Sequence, residues 1–273
     1  MIANMKVFDC TLREVGYQTG WYFDKKVAQD IYRFAEARHI DYIELGFFHS
    51  EAADPNRGDF RYCSTRSAEI MNTFSYVKNR TKLSAMRDIQ RPLSDLLPKS
   101  ESPIDTIRIL TRSHETDIEK LKFFVNEAQT LGYEVYINFT SAGNNTPEMT
   151  RKFAECAKSA GVPIIYFADT ESIMTPEFVN TTMSICKECG VGVGMHFHDK
   201  NGTAEQLADL AIKNGADGID VTHIGLGGKW RDGNLTMEYL MKKFGINLGF
   251  ENTMVRNEII EQIIKFNKFT AAE

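Results

Sequence analysis

The chain lacks the features that mark several large classes of protein. No apolar run approaches the roughly 20 residues that cross a bilayer, and the opening MIANMKVFDC has neither the basic start nor the apolar stretch of a secretory signal. A cytoplasmic location is therefore expected. Basic charge is not in excess, since 37 acidic residues outweigh 32 Lys and Arg to give a net charge of −5. That leaves no cationic field for a nucleic-acid backbone, and neither nucleic acid nor membrane is expected as a partner. Cysteine is sparse: Cys10, Cys63, Cys156, Cys186 and Cys189 form an odd, scattered set that excludes a disulfide framework. Cys186 and Cys189 make a CxxC, but no second ligand pair accompanies it and it falls near a helix end before Gly190, so it is read as structural. No GxGxxG follows the first strand-like segment, which argues against a dinucleotide-binding open sheet. Internal repeats, low-complexity tracts and interdomain linkers are absent too.

What is present is a regular alternation. The 273 residues, 42% of them hydrophobic, suit one (β/α)8 barrel, a fold of roughly 250 residues. Strand-like segments run over Lys6 to Thr11, Asp41 to Phe47, Lys82 to Met86, Thr106 to Thr111, Glu134 to Phe139, Pro163 to Ala168, Val191 to His198 and Gly218 to Thr222. Asp24 is placed to cap a first helix carrying Val27, Ile31 and Phe34 at helical spacing. Later helices end at Gly132, Gly161, Gly190 and Gly215. Parallel strands with right-handed crossovers close naturally at this number. The expectation is a single α/β TIM-barrel domain over residues 1–273, with the barrel at about 5–247 and a helical extension at 248–273. That helix is expected to pack on the barrel or on a second copy in a homodimer.

Barrel enzymes hold their chemistry at the C-terminal ends of the strands. Three ends stand out: Asp9-Cys10-Thr11-Leu12-Arg13-Glu14, Met195-His196-Phe197-His198-Asp199, and the run through Gly225-Leu226-Gly227-Gly228 to Gly233-Asn234. His196 and His198 are two apart, so on a strand both imidazoles face the same side. Glu14 adds a hard carboxylate oxygen from the first strand end. Two imidazoles and a carboxylate make a divalent metal site that leaves positions open for substrate oxygens. Mn²⁺ or Mg²⁺ is expected first, with Co²⁺ and Zn²⁺ as alternatives.

These segments resemble a known family, the metal-dependent aldolases, lyases and Claisen-condensing synthases called DRE-TIM metallolyases, which includes HMG-CoA lyase. DCTLREVG resembles its D-x-T-L-R-[DE]-G, MHFHDKNGTA its H-x-H-[DN]-x-x-G-x-A, and ADTESIMTP its sixth-strand segment. GLGG followed by GNLTMEYL resembles its glycine loop. The resemblance implies Glu14, His196 and His198 as metal ligands, Asn234 as a further ligand, and Arg13 as the residue stabilising an enolate. Departures matter as well. Glu14 stands where aspartate is usual, and Ser172 replaces the glycine of the sixth-strand segment. The glycine loop at 228–233 lacks the cysteine of lyases acting on hydroxymethylglutaryl-CoA. Tyr17 occupies the position of the histidine base in 4-hydroxy-2-oxovalerate aldolases, whose short relatives this chain resembles most. Because the chain stops before the partner-contacting domain of those aldolases, no acylating dehydrogenase partner is expected.

The implied reaction is class II aldol chemistry beside a 2-oxo acid such as pyruvate, with an aldehyde as co-substrate. Arg13 stabilises the enolate, and the base is Tyr17 or a hydroxide on the ion. Glu44 is placed to orient Arg13, or else to pair structurally. Asn138 and Thr170 end their strands, where they either bind the substrate carboxylate or fill the barrel top. His49, Arg87, Arg108, Arg112 and His223 also lie near strand ends, as candidates for an anionic tail or as packing residues. Asp9 and Asp199 are read as bonding nearby amides, and Trp230 as covering the site or packing. Two alternatives stand beside this reading: a Claisen-type acyl-CoA synthase, and a catalytically silent barrel that binds a 2-oxo acid.

Schiff-base aldolases instead need a desolvated lysine on an inner strand. Lys82 stands at the wrong end of its strand, and Lys200 and Lys229 fall in loops. Borohydride added with pyruvate is therefore expected to leave the protein mass unchanged by mass spectrometry, whereas a stable adduct would overturn the metal chemistry.

Overall fold

In a computed structural model that describes residues 5–228 and 232–267, eight parallel strands close into a barrel in chain order. They are β1 (Lys6–Asp9), β2 (Tyr42–Phe47), β3 (Lys82–Asp88), β4 (Thr106–Arg112), β5 (Glu134–Thr140), β6 (Ile164–Asp169), β7 (Gly192–Phe197) and β8 (Gly218–Val221). Closure comes from β8 against β1, with Lys6 opposite Gly218 and Asp9 opposite Val221. Around the barrel lie α1 (Thr11–Thr19), α2 (Lys25–Ala37), α3 (Ser67–Phe74), α4 (Ile118–Thr130), α5 (Pro147–Ser159), α6 (Pro176–Cys189), α7 (Ala204–Lys213), α8 (Met237–Lys243) and α9 (Gly249–Phe266). Threonine caps with proline in the first turn start α5 and α6, where Thr146 accepts from Met149 N and Thr175 from Phe178 N. Among the described residues no helix is long and apolar enough to cross a membrane.

Two local expectations need correction. β1 ends at Asp9, and α1 follows at once, so Arg13, Glu14 and Tyr17 sit on a helix rather than on a strand end. Asp24 does precede α2, yet its side chain makes no cap. It bonds instead to Gln262 Nε2 at 2.9 Å and Lys265 Nζ at 2.6 Å, which ties α9 to its own barrel. Lys26 pairs with Glu258 at the same seam.

Inward positions follow the period of two and build layers up the axis. The floor is aromatic: Phe8 stacks on Tyr42 with centroids 4.1 Å apart and meets Tyr136 and Tyr166 edge-on. Gly194 and Gly218 face Tyr166, where a Cβ would come within 2.2 Å of its ring or hydroxyl. One step up, the same strands present Cys10, Glu44, Arg108, Asn138, His196 and Asp220, polar or charged and all buried. Arg108 is fully buried with its guanidinium 4.4 Å from the Phe8 ring centre and 4.7 Å from that of Tyr166. It donates to Glu44 (2.6 and 2.8 Å) and to Asp220 (3.0 and 2.8 Å). Of the two readings of Arg108, anionic tail or packing, the second holds, because both its counter-charges are internal.

Breaking a buried pair strands the remaining charge and typically costs about 3–5 kcal/mol. Arg108→Met leaves two carboxylates without their cation, so a loss of at least that order is expected in denaturant unfolding. A variant as stable as the parent would show that the two acids are satisfied without it.

Candidate metal centre

The centre is assembled from α1, β7 and the glycine loop after β8. Asp9 Oδ1 accepts from Thr11 N at 2.9 Å and Thr11 Oγ1 at 2.5 Å, and Thr11 Oγ1 in turn accepts from His223 N at 2.9 Å. These bonds fix the turn from β1 into α1 and so the aim of the next residues. Glu14 Oε2 accepts from Gly228 N at 2.9 Å. Gly227, at φ 109°, lies so close that a Cβ would sit 2.3 Å from Glu14 Cβ, which explains the glycines of this loop.

On β7, His196 Nδ1 lies 3.0 Å from Asp220 Oδ2, which orients the ring and leaves Nε2 buried, with no hydrogen bond, 3.3 Å from Glu14 Oε1. His198 Nδ1 lies 3.2 Å from Asp232 Oδ2. One ligand atom from each of Glu14, His196 and His198 falls within 4.8 Å of the others. That spacing and donor set suit a single divalent ion, with carboxylates behind both imidazoles as metal-binding histidines commonly have. Asn234 pairs with His198 in an isolated bridge; its Nδ2 donates to Leu226 O at 3.1 Å while Oδ1 is buried without a partner. A hard oxygen is thus left over at the ligand cluster. A second grouping, Cys10 with His196 and Asp220, already faces a cation, since Arg108 reaches Cys10 Sγ at 3.5 Å and Asp220 at 2.8 Å.

Charge favours the same conclusion. Burial alone would raise the Glu14 carboxyl, but the Arg13 charge and the His196 contact hold it well below the usual range. For Asp220 burial is likewise outweighed, chiefly by Arg108, and its pKa falls to about 2. Both are anionic at neutral pH.

A cavity of about 870 Å³ opens over the centre. Its lining includes Arg13, Glu14, Tyr17, Asn138, Thr170, His196 and His198. Arg13 donates Nε to Glu44 at 2.5 Å and Nη1 to Glu14, while Nη2 is buried with no partner. Glu44 lies fully buried beneath and positions Arg13 without reaching the cavity. Tyr17 is held edge-on to Trp21 at 5.0 Å, and burial followed by the Glu14 charge raises its phenol above the ordinary value. Asn138 Oδ1 is buried without a partner, and Thr170 Oγ1 accepts from Ser141 N at 2.8 Å. Ser172 keeps a positive φ of 55°, the conformation glycine would favour, and its hydroxyl accepts from Lys200 N at 3.2 Å.

Other candidates fall elsewhere. Arg87 pairs with Glu127 of α4 at 3.0 Å, and His223 is buried 3.5 Å from Asp9 against Phe34. Both are packing residues. Asp199 accepts from Ala204 N as expected, His49 and Arg112 line the cavity, and Trp230 lies outside the described residues. Sequence reasoning passed over Asp220, Asp232 and the Gly228 amide. Only Asp220 gave a signal, as a charge at an inward position of the otherwise apolar strand GIDV.

The HMGL-like family model matches residues 4–258, and the chain belongs to that family. It is 26% identical to a 4-hydroxy-2-oxovalerate aldolase of Thermomicrobium roseum over 254 residues, which cover 90% of this chain and 69% of the relative. The N-terminal domain of a proposed aldolase from Bacteroides vulgatus superposes with a TM-score of 0.79 at 24% identity, covering 96% of this chain and 88% of that one. HMG-CoA lyase from Brucella melitensis gives a TM-score of 0.71 at 16% identity, covering 96% and 99%. At those identities the two likenesses are of fold. The chain is an enzyme of the aldolase and lyase type, in a family that depends on divalent metal in general.

Losing the carboxylate that orients a metal-binding histidine typically lowers metal affinity about 10–100-fold. Calorimetric titration with Mn²⁺ should therefore show about one ion per chain in the parent, a drop of that order for Asp220→Asn, and no binding for the His196→Ala, His198→Ala double variant. Full stoichiometry in the double variant would place the ion elsewhere.

Proposed function

We propose that this member of the HMGL-like family is a divalent-metal-dependent class II aldolase, making or breaking a carbon–carbon bond beside a 2-oxo acid such as pyruvate. The observation that carries the reading is Arg13 Nη2, a buried guanidinium nitrogen with no partner, beside a ligand triad and in the wall of the cavity. A buried donor of this kind calls for an acceptor, and a substrate oxygen bearing developing charge supplies one. A divalent ion bound by Glu14, His196 and His198, Mn²⁺ or Mg²⁺ before Co²⁺ or Zn²⁺, would supply Lewis-acid polarisation of the keto carbonyl.

The chain's own residues divide the remaining work. Glu44 and Glu14 hold two edges of the Arg13 guanidinium, so its free edge meets the enolate oxygen without reorganising. Asn138 and Thr170, at the ends of β5 and β6, bind the 2-oxo acid carboxylate; the Thr170 hydroxyl proton is available because its oxygen is the acceptor from Ser141. Tyr17 carries the proton of the aldol hydroxyl. Its raised pKa keeps the phenol protonated, which suits donation to the aldehyde oxygen during condensation; the phenolate left behind regains a proton from water, and in cleavage it is this phenolate that takes the hydroxyl proton.

Lysine offers a point charge in place of a planar fork, so Arg13→Lys is not a conservative change. The variant is expected to keep its metal and to lose about 10²–10³ in the rate of pyruvate methyl exchange in D₂O, followed by NMR. Exchange as fast as the parent's would make Arg13 a structural residue.

A further inference from the structure

The cavity is far larger than a pyruvate-sized acid requires, and its other side is cationic. Arg61 follows β2, Arg91 follows β3 and Arg112 ends β4; all three line the cavity. In a closed barrel of this order β3 lies across the axis from β7, so the arginines face the metal ligands from the opposite wall. Among the described residues the lining holds five arginines (Arg13, Arg57, Arg61, Arg91 and Arg112) against three carboxylates (Glu14, Asp54 and Asp88). Two positive charges are in excess before any divalent ion adds its own.

The local pairing leaves that excess in place. Asp54 serves both Arg57, at 3.3 Å, and Arg61, at 2.7 Å. Asp88 stands 3.9 Å from Arg91 and 3.7 Å from Arg112, and Glu115 stands 3.8 Å from Arg112, all beyond hydrogen-bond reach; Arg112 donates instead to the neutral Gln90 Oε1 at 2.8 Å. Arg61 is fixed in place, its guanidinium 4.1 Å from the Trp21 ring centre and 4.9 Å from that of Phe47. His49, just after β2, lines the cavity beside these arginines, buried with Nε2 unpartnered. Burial and then the Arg61 charge press its pKa down to about 3, so it stays neutral and offers a hydrogen bond rather than a competing charge.

Resting on the aldolase reading of the metal side, we infer that the second substrate is an aldehyde carrying a carboxylate or phosphate remote from its carbonyl, held by Arg61, Arg91 and Arg112. Arginine forks suit either anion. The arrangement orients the aldehyde: its charged tail goes to the β2–β4 wall, and its carbonyl is turned toward the 2-oxo acid.

The test is a panel of propanal, succinic semialdehyde and glycolaldehyde phosphate, each with pyruvate and the metal-loaded enzyme. One or both charged aldehydes should exceed propanal by about 100-fold in kcat/KM, and which of them leads identifies the anion. Arg61→Gln and Arg112→Gln should each cut that ratio about tenfold, the loss of roughly one charge-assisted contact. An equal or better rate with propanal, or reaction with acyl-CoA alone, overturns the proposal and leaves the 2-oxo acid reading intact wherever pyruvate methyl exchange persists. Absence of that exchange sinks the 2-oxo acid reading instead. Calorimetry of glycolaldehyde phosphate and succinic semialdehyde on metal-free protein then decides the arginine wall by itself: binding of either weakened about tenfold in both variants supports it, and no binding by the parent or no effect of the variants overturns it.

Discussion

A guanidinium sealed on the axis of a barrel has to find its counter-charges inside the barrel. Arg108 does so through Glu44 and Asp220, and each carboxylate then has oxygen capacity left for one more partner. Glu44 spends it on Arg13 and Asp220 on His196. Arg13 and His196 both reach Glu14, which closes a ring of alternating groups. The aromatic floor supports this ring from below, because Phe8 and Tyr166 hold the Arg108 plane where Glu44 and Asp220 meet it. The orientations of the His196 ring and of the Arg13 guanidinium are thus two outcomes of one buried charge.

The ring has an unbalanced count that explains why it would take a metal. Arg13 and Arg108 bring two positive charges, and Glu14, Glu44 and Asp220 bring three negative ones, all buried. An uncompensated buried charge is costly. A proton on His196 offsets it, and that pKa is raised: burial alone would lower it, but the Asp220 and Glu14 carboxylates, 3.0 and 3.3 Å from its two ring nitrogens, outweigh burial. A divalent ion bound there would replace the proton and turn the deficit into a surplus of one positive charge, which the carboxylate of the proposed 2-oxo acid would offset. The opposite wall repeats this logic with arginines.

Much of this was legible in the sequence because it rests on periodicity. Strand spacing of two placed His196 and His198 on one side, and glycines after helices marked four of the helix ends, each with a positive φ. Helix α1 was not legible. Its sequence TLREVGYQT has Gly16 in mid-helix, a choice that costs about 1 kcal/mol against alanine and reads as a loop. The reason is tertiary, since a Cβ at Gly16 would sit 2.1 Å from the Trp21 indole. Arg108 was left open between two readings for a related reason. TIRILT shows a charge on an inward position but not whether that position faces the cavity or the floor, and the answer depends on Glu44 and Asp220, 64 and 112 residues away.

Ser172 shows how a departure from a family pattern can leave the architecture intact. The residue keeps the left-handed backbone that glycine adopts freely and that most side chains avoid. What offsets the strain is anchoring: the hydroxyl accepts from Lys200 N, and the carbonyl accepts from Asn201 Nδ2 at 2.7 Å. Both partners belong to the loop that follows His198, so the serine couples the β6 turn to the segment carrying that histidine. Glycine could supply the backbone shape and the carbonyl bond but not the hydroxyl. The serine therefore trades some backbone ease for a firmer hold on the loop beside His198.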